Sequence, residues 1–600
     1  MTSPNKAILL SAISALAMLS ADPSFAQGAP AADDSGEAGE EEANEIVVLA
    51  ERLRNQVDTA QPPILVLDEE EIAAYGAGSI AELIEQLAPQ IGSGRGRGDG
   101  RPVFLVNGMR VSSFREMRSY PPESIRRVEI LPEETALKYG FSADQRVVNF
   151  ILKDNYSSKE IELEYRQPDR GGYSFKEAEA TLLRIDGPSR LNLNAEINDT
   201  TMLTEAERGV AQTSGSISDL ATDPNPAAYR SLVADSTDVE VTANWSTKLG
   251  DGGSSLSLNG TVERSDTRSL SGLNTVVLTD PGGNSLARTY GENDPLERRS
   301  RSTTYSLGGT LNAPLGDWQL TGTLNASRAE STSKIDRYAD ASALVAAAAA
   351  GDLAIDGELP DVASAGYDEA HSVNHSVDSL VTVMGSPFYL PAGAVSMTVD
   401  AGYGWTRLQS TDTRNPGLET RLTRGDLSTG VNLGIPIASR RDDVWSWLGD
   451  FNLNFSAGVN HLSDFGTLTN WTAGAVWGVT EKLSLQGSYI VRDAAPNLSQ
   501  LGNPEVVNLN VPVYDLTNGE TVLVTTTNGG NPALERQKQR DLRLAVMWEL
   551  PFLERSNVMI EYFRNRSSDV ASSFPLLTPA IEAAFPDRVT RDGGGRLIAL

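Results

Sequence analysis

Few residues of this chain are of types that do covalent chemistry. It has three histidines, His371, His375 and His461, and no cysteine. A thiolate nucleophile, a disulfide framework and a cysteine zinc site are therefore excluded, and three scattered imidazoles do not make a histidine-rich metal site. No G-x-S-x-G, H-E-x-x-H or Cys–His pattern occurs. Asp and Glu number 80 against 50 Lys and Arg, a net charge of −30, so acidic pairs arise without catalysis. No enzyme activity and no cofactor are expected. The same charge opposes a nucleic-acid partner, since phosphate binding needs a basic face. Two stretches offer binding chemistry instead. Arg95, Arg97 and Arg101 stand in and beside the glycine-rich residues 92–100, where they would meet an anionic ligand or simply solvent. This is no P-loop, for it lacks the G-K-[ST] ending and a following helix. Glu45-Ile46-Val47-Val48 is short and β-branched. It could add to the sheet edge of a partner through main-chain hydrogen bonds, or be the first strand of the segment after it.

The elements that would position these residues change character along the chain. Lys6, an apolar run to Leu19, and Ser24-Phe25-Ala26 read as a cleaved signal peptide over 1–26. The run, about 13 residues, is shorter than the roughly 20 of a spanning helix. Residues 27–44 are rich in Gly, Ala, Asp and Glu and read as a disordered acidic linker. Residues 49–157 read as a small α/β domain. Its expected strands are 63–67, 103–106, 128–131 and 147–152, with an acidic turn at 68–75, a helix over 80–87 capped by Ser79, and a turn at Asn107-Gly108.

From about residue 158 to 600 the pattern has period two. Val395, Met397, Val399, Ala401, Tyr403 and Trp405 alternate with polar or small residues, and Leu542, Leu544, Val546 and Trp548 do the same. Alternation means one wet face and one apolar face. Many of these strands run ten residues or more, beyond the usual five or six and near the roughly 9–11 of a tilted bilayer-spanning strand. Aromatic residues such as Tyr403 and Trp405 are expected towards strand ends. Tight turns at 250–253 and 315–317 oppose long polar stretches at 200–235, 268–300, 331–369 and 497–536. The expected fold is an all-β transmembrane barrel of the outer-membrane layout, preceded by the small α/β domain. A string of soluble sandwiches would show shorter strands and internal boundaries.

This combination resembles the TonB-dependent outer-membrane receptors, in an atypical subfamily. Residues 45–48 look like the family's TonB box, and 64–91 like its first plug strand and helix. Residues 101–108 (RPVFLVNG), 125–131 (IRRVEIL), and Tyr139-Gly140 with 146–153 (RVVNFILK) are similar to later plug segments. Gly530-Asn531-Pro532-Ala533-Leu534 looks like the barrel's GNPxL segment. Departures are Ala88-Pro89-Gln90-Ile91 for PGV, Pro132-Glu133 for the pair after the VEVL strand, and Gln145 for a glycine.

The resemblance implies 22 strands, whereas the alternation supports about 15, and an odd number does not close a bacterial single-chain barrel. Residues 593–600 read as loop entering a strand, so the expectation is a C-terminal truncation, with a smaller barrel as the alternative. The implied function is energised import of a scarce solute, siderophore-iron, cobalamin or an oligosaccharide. A periplasmic TonB protein would engage Glu45, Ile46, Val47 and Val48, and Arg95, Arg97 and Arg101 would meet the ligand at the outer face. The outer-membrane lipid is the other implied partner. Alternatives are a plugged barrel that binds or adheres without transport, and a passive porin. Haem is disfavoured because 493–533 lack histidine. The room between 26 and 45 leaves no space for an extra signalling domain.

Overall fold

A capping box starts the first helix. Asp68 accepts from the Glu71 amide at 2.9 Å while Glu71 accepts from the Asp68 amide at 3.0 Å, which turns the expected acidic turn into helix Glu69–Ala74. The computed structural model in which this is seen describes residues 55–57, 59, 63–92 and 102–600, apart from 142, 144, 213–216, 251, 418, 551, 553–555 and 573. The segments read as signal peptide, acidic linker and residues 45–48, and Arg95, Arg97 and Arg101, lie outside the described residues. Residues 59–600 form one unit by their contacts.

The small α/β part has five strands, β1 (Leu65–Asp68), β2 (Val103–Val106), β3 (Met109–Arg110), β4 (Ile125–Leu131) and β5 (Val147–Leu152), in the order β1-β4-β5-β2-β3. Only the β2–β5 pair is parallel. Asn107 and Gly108 both have positive φ, as a two-residue hairpin turn between β2 and β3 requires. The Asn107 side chain also accepts from the Leu152 amide at 2.9 Å. Ser79 caps helix Ile80–Gln86, whose Ile80 and Leu83 are buried. With Ile72, Leu105, Val128, Ile130 and Phe150 they belong to the set of fully enclosed apolar side chains of this part.

Fifteen strands, from Asn155–Arg166 to Asn557–Ser568, form the large sheet. Each pairs antiparallel with its neighbours in chain order, and the first and last are not paired with one another. The count agrees with the alternation. Strands are longer than expected: Leu296–Leu315 and Glu419–Ala438 have 20 residues each. At about 3.3 Å per residue these reach about 65 Å, twice a bilayer crossing, so they stand beyond one. Tyr403 and Trp405 accordingly sit in the middle of Ser396–Asp412 and not at its end.

The four long polar stretches all leave the same end of the sheet. They are not plain loops. Hairpin Asn274–Thr279 with Ser285–Tyr290 and helix Ser342–Ala350 share a buried cluster of Val276, Leu278, Tyr290, Leu344, Ala348 and Ile355. Hairpin Val506–Asp515 with Glu520–Asn528 joins the short strands Thr590–Arg591 and Leu597–Ala599 in a second small sheet. Residues 593–600 run from a turn into a strand, Leu597–Ala599, as expected, and that strand pairs with a connection and not with the large sheet. Their apolar partners, Val522 and Val524, lie some seventy residues back. Among the described residues, no helix is long and apolar enough to cross a membrane, which says nothing of crossing by strands.

Candidate functional site

Alternation decides which side chains of the large sheet face the small α/β part. Thr242 and Asn244 are buried while Val241 and Trp245 are exposed. The same holds for Asn259 and Thr261 against Leu258 and Val262. The inner, polar set contacts the α/β part from strands far apart in the sheet. Arg118 pairs with Glu240 at 2.9 Å and Arg115 with Glu263 at 2.7 Å. Glu116, buried, accepts from Ser112, Asn259 and Ser257 at 2.6–3.1 Å. Arg110 donates to the Tyr139 carbonyl at 3.0 Å and to the Leu380 carbonyl at 3.2 Å. Burial lowers the Arg110 guanidinium to about 10, against the opposing pull of the Asp400 carboxylate. Thr398 donates to the Lys138 carbonyl at 3.0 Å. The sheet therefore wraps the α/β part and its interior is occupied.

The most buried ionic contact lies on the same interface. Arg543, 2% exposed, stands 3.3 Å from Glu133 and 3.5 Å from Glu134, and also pairs with Glu561. Arg146 of the α/β part approaches Glu133 at 3.4 Å and Glu561 at 3.9 Å. Ser488 donates to Glu134 at 3.2 Å. Opposite charges alternate around this group, which is how buried ions are tolerated. Sequence reading named Glu133 and Arg146 only as parts of plug-like segments and gave none of these residues a partner or a role. The signals present were Arg543 at an inward position of its strand and the acidic pair where the family pattern has none.

At the end carrying the long connections, a cavity of about 680 Å³ opens between the turn after Ser396–Asp412, residues 503–505 and 527–532, and the stretch around Phe574 and Arg588. It contains the Gly530–Pro532 part of the motif noted above. A Cβ on Gly530 would fall 2.5 Å from the Gly502 nitrogen and 2.6 Å from that of Asn503, so only glycine fits this approach. Asn531 donates its amide to the Gln500 carbonyl at 2.7 Å, and Thr527 donates to the Leu600 carbonyl at 2.8 Å. The wall is fixed by backbone hydrogen bonds.

Two arginine cages hold the connections. Arg288 is bidentate to Asp223, both contacts at 2.7 Å, and donates to the carbonyls of Ile355 and Gly357. Arg591 is held by Asp515 at 2.6 and 3.0 Å and by Glu582 at 2.6 and 2.8 Å. The hydrogen bonds from Arg591 keep the Asp515 and Glu582 carboxyls below their ordinary values.

The sequence-predicted residues fare unevenly. Glu45, Ile46, Val47, Val48, Arg95, Arg97 and Arg101 are outside the described residues, so they are not brought to this site or excluded from it. His371 and His375 lie in the first half of strand Tyr367–Gly385, and His461 lies in Asp450–Leu462. His371 and His461 each meet a cross-strand threonine, at 3.0 and 3.1 Å. Among the described residues no cluster of three or more potential metal ligands occurs.

The architecture has known counterparts. Over residues 229–593 the chain matches the family model described as TonB dependent receptor-like, beta-barrel. The vitamin B12 transporter BtuB of Photobacterium profundum is 31% identical over 130 residues, covering 19% of this chain and 22% of that protein, so less than a quarter of that relative's length is matched. A variant of the ferric enterobactin receptor of Pseudomonas aeruginosa superimposes with a TM-score of 0.51 at 14% identity, covering 85% of this chain and 71% of that one. A variant of that receptor in complex with enterobactin gives 0.51 at 15% identity, covering 84% and 72%. At such identities the likeness speaks for the fold, an all-β sheet of the barrel type with an α/β part at its N-terminal side. The family match takes in more than half of the sequence: the chain belongs to the TonB-dependent receptor family.

Proposed function

We propose that this protein is an outer-membrane receptor of a Gram-negative bacterium that imports a scarce solute, siderophore-iron, cobalamin or an oligosaccharide, by energised displacement of a plug. In this reading 1–26 is the signal peptide, 27–44 the linker, 45–48 the TonB box, 49–157 the plug and 158–600 barrel. The observation that carries it is the occupied interior. A lumen filled by a folded α/β part passes nothing until that part moves, so passage needs work from outside. The contacts that must be exchanged are largely polar, and water can replace them as they break. A short β-branched segment ahead of the α/β part suits strand addition to a periplasmic partner, the TonB protein. The likeness to a vitamin B12 transporter and a ferric enterobactin receptor supports solute uptake as the class. The folded connections favour a second reading, a plugged barrel that binds or adheres without transport. Deleting residues 45–48 separates the two. Import reads as loss of growth on one limiting nutrient, iron, cobalamin or a single oligosaccharide, with surface binding retained. Unchanged growth on all of them would remove the import reading.

A further inference from the structure

We propose that the outward face of the large sheet, just beyond its apolar band, binds a glycolipid whose headgroup carries several phosphates. The inference goes beyond the import reading and shares with it only the outer-membrane setting. Cross-strand register lines up six neighbouring strands, from Ser254–Gly272 to Glu419–Ala438. Their outward rows from Leu256 to Gly260, with the residues across from these, carry no charged side chain. Charge begins in the row of Val262 and Tyr305, where Arg328, His375 and Arg407 stand side by side. Over the four rows from there to Arg268 and Arg299, eight outward side chains are Arg or Lys and four are Asp or Glu. This positive surplus stands on a chain of net charge −30. It is also local: the same rows of the next two strands hold Val239, Ile197, Asp199 and Asp235 and no basic residue.

The pairing within the patch leaves that surplus in known places. Arg328, Lys334 and Arg421 are matched one to one by Glu330, Glu369 and Glu419. Asp266, by contrast, is shared by Arg264 at 2.7 Å and Arg301 at 2.5 Å. Glu297, one row further, is shared by Arg268 at 2.8 Å and by Arg299. A carboxylate carries one charge, so each shared group keeps one positive charge in excess. A guanidinium has five N–H donors, and one carboxylate leaves some of them for a second, forked acceptor such as phosphate. Arg299 and Arg301 are 69% and 60% exposed, and so open to it. Arg407 makes no hydrogen bond or ion pair with another described residue.

The dimensions of the patch select the kind of lipid. Rows on one face are two residues apart, so four rows cover about 20 Å of strand, or about 14 Å along the bilayer normal at a tilt of about 45°. The headgroup layer of a phospholipid bilayer is only about 5–7 Å deep on each side. Arg264 is the eleventh residue of its strand, where a crossing of roughly 9–11 residues ends. The basic rows thus start at the bilayer surface and stand beyond a phospholipid headgroup. At about 4.8 Å per strand they are about 24 Å wide. A tall, wide headgroup with phosphates set apart reaches them, while its acyl chains lie on the apolar rows beneath.

The test uses the full chain in detergent, with bound lipid counted by native mass spectrometry. Lipid A, an acylated disaccharide with a phosphate at each end, is the probe. Its dephosphorylated form, phosphatidylglycerol and cardiolipin are the comparators. Saturable binding of lipid A is expected, at least tenfold tighter than that of any comparator. Arg299→Gln with Arg301→Gln should weaken it about thirtyfold, from the usual contribution of an arginine beside an anionic lipid. That double variant leaves Asp266 with Arg264 and Glu297 with Arg268, and an unchanged melting temperature would show that it folds. Arg407→Gln, with no ion pair to lose, should weaken binding about fivefold. Arg441→Gln with Lys482→Gln removes the same charge from turns at the opposite end of the sheet and should change nothing. Equal binding of any comparator, lipid A binding indifferent to the arginine variants, or an equal loss in the opposite-end variant overturns the assignment. Selective lipid A binding, in a protein whose deletion of residues 45–48 leaves growth unchanged, upholds it and removes the import reading.

Discussion

At the scale of single residues the decisive group is Arg543. Its charge is enclosed with those of Glu133, Glu134, Glu561 and Arg146, and water does not screen them. Removing one partner from such a set is costly because the remaining charges stay buried without compensation. Arg543→Met should loosen the attachment of residues 133–139 to the sheet by roughly 3–5 kcal/mol. Hydrogen exchange reads this as lost protection of amides in that turn, while the strands of the sheet keep theirs. Adding Glu133→Gln and Glu134→Gln to the same variant should restore most of the protection, since the uncompensated carboxylates are then gone. Equal protection in the single variant and the parent would show the cluster to be a bystander. None of this was legible in sequence, because Glu133 and Arg543 are brought together only by the wrapping of the sheet. What was legible is the inward placement of Arg543 by alternation with Leu542 and Leu544. Gly530 is similar: its motif stood out, but the reason for glycine, the 2.5 Å approach to Gly502, needed the fold.

At the scale of elements the strands of the large sheet were readable because each carries its own evidence, an apolar residue at every second position. The Asp68–Glu71 box was equally local, yet the acidic run around it read as a turn. The connections were not readable as structure. Their hairpins are stabilised by partners distant in sequence, such as Arg591 and Asp515, 76 residues apart. That cage gives the second small sheet a pH dependence. Asp515 and Glu582 hold carboxyls lowered by Arg591, so their contribution is complete above the unfolded carboxylate range, about pH 4. It is lost as pH falls further, through their lowered folded values. Pulsed hydrogen exchange from pH 6 down to pH 2 should show residues 520–528 losing protection below pH 4, before the large sheet does. In Arg591→Met the protection should be low throughout and the step absent. A step at the same pH in that variant would assign the transition to other groups.

At the scale of the whole molecule the question is what medium covers the outside of the sheet. Its inner face is polar and already occupied, and its outer face carries Trp245, Leu258, Val262, Tyr305, Leu307 and Leu311 in exposed positions. A contiguous apolar face of this extent is unusual for a protein in water and ordinary for a barrel in lipid. Leu258 tests the placement. It is the fifth residue of Ser254–Gly272, which follows a tight turn, and it lies across from Trp245 and Gly309. A crossing takes roughly 9–11 residues, so Leu258 falls near the middle of the bilayer. Leu258→Arg should then destabilise the protein folded into phosphatidylcholine vesicles by about 2–4 kcal/mol, whereas on a water-facing sheet the change would stay within about 0.5 kcal/mol. Urea unfolding from the vesicles reads the difference as a shifted midpoint. An unshifted midpoint would put this face in water, and the apolar alternation that first suggested a membrane would need another partner to cover it.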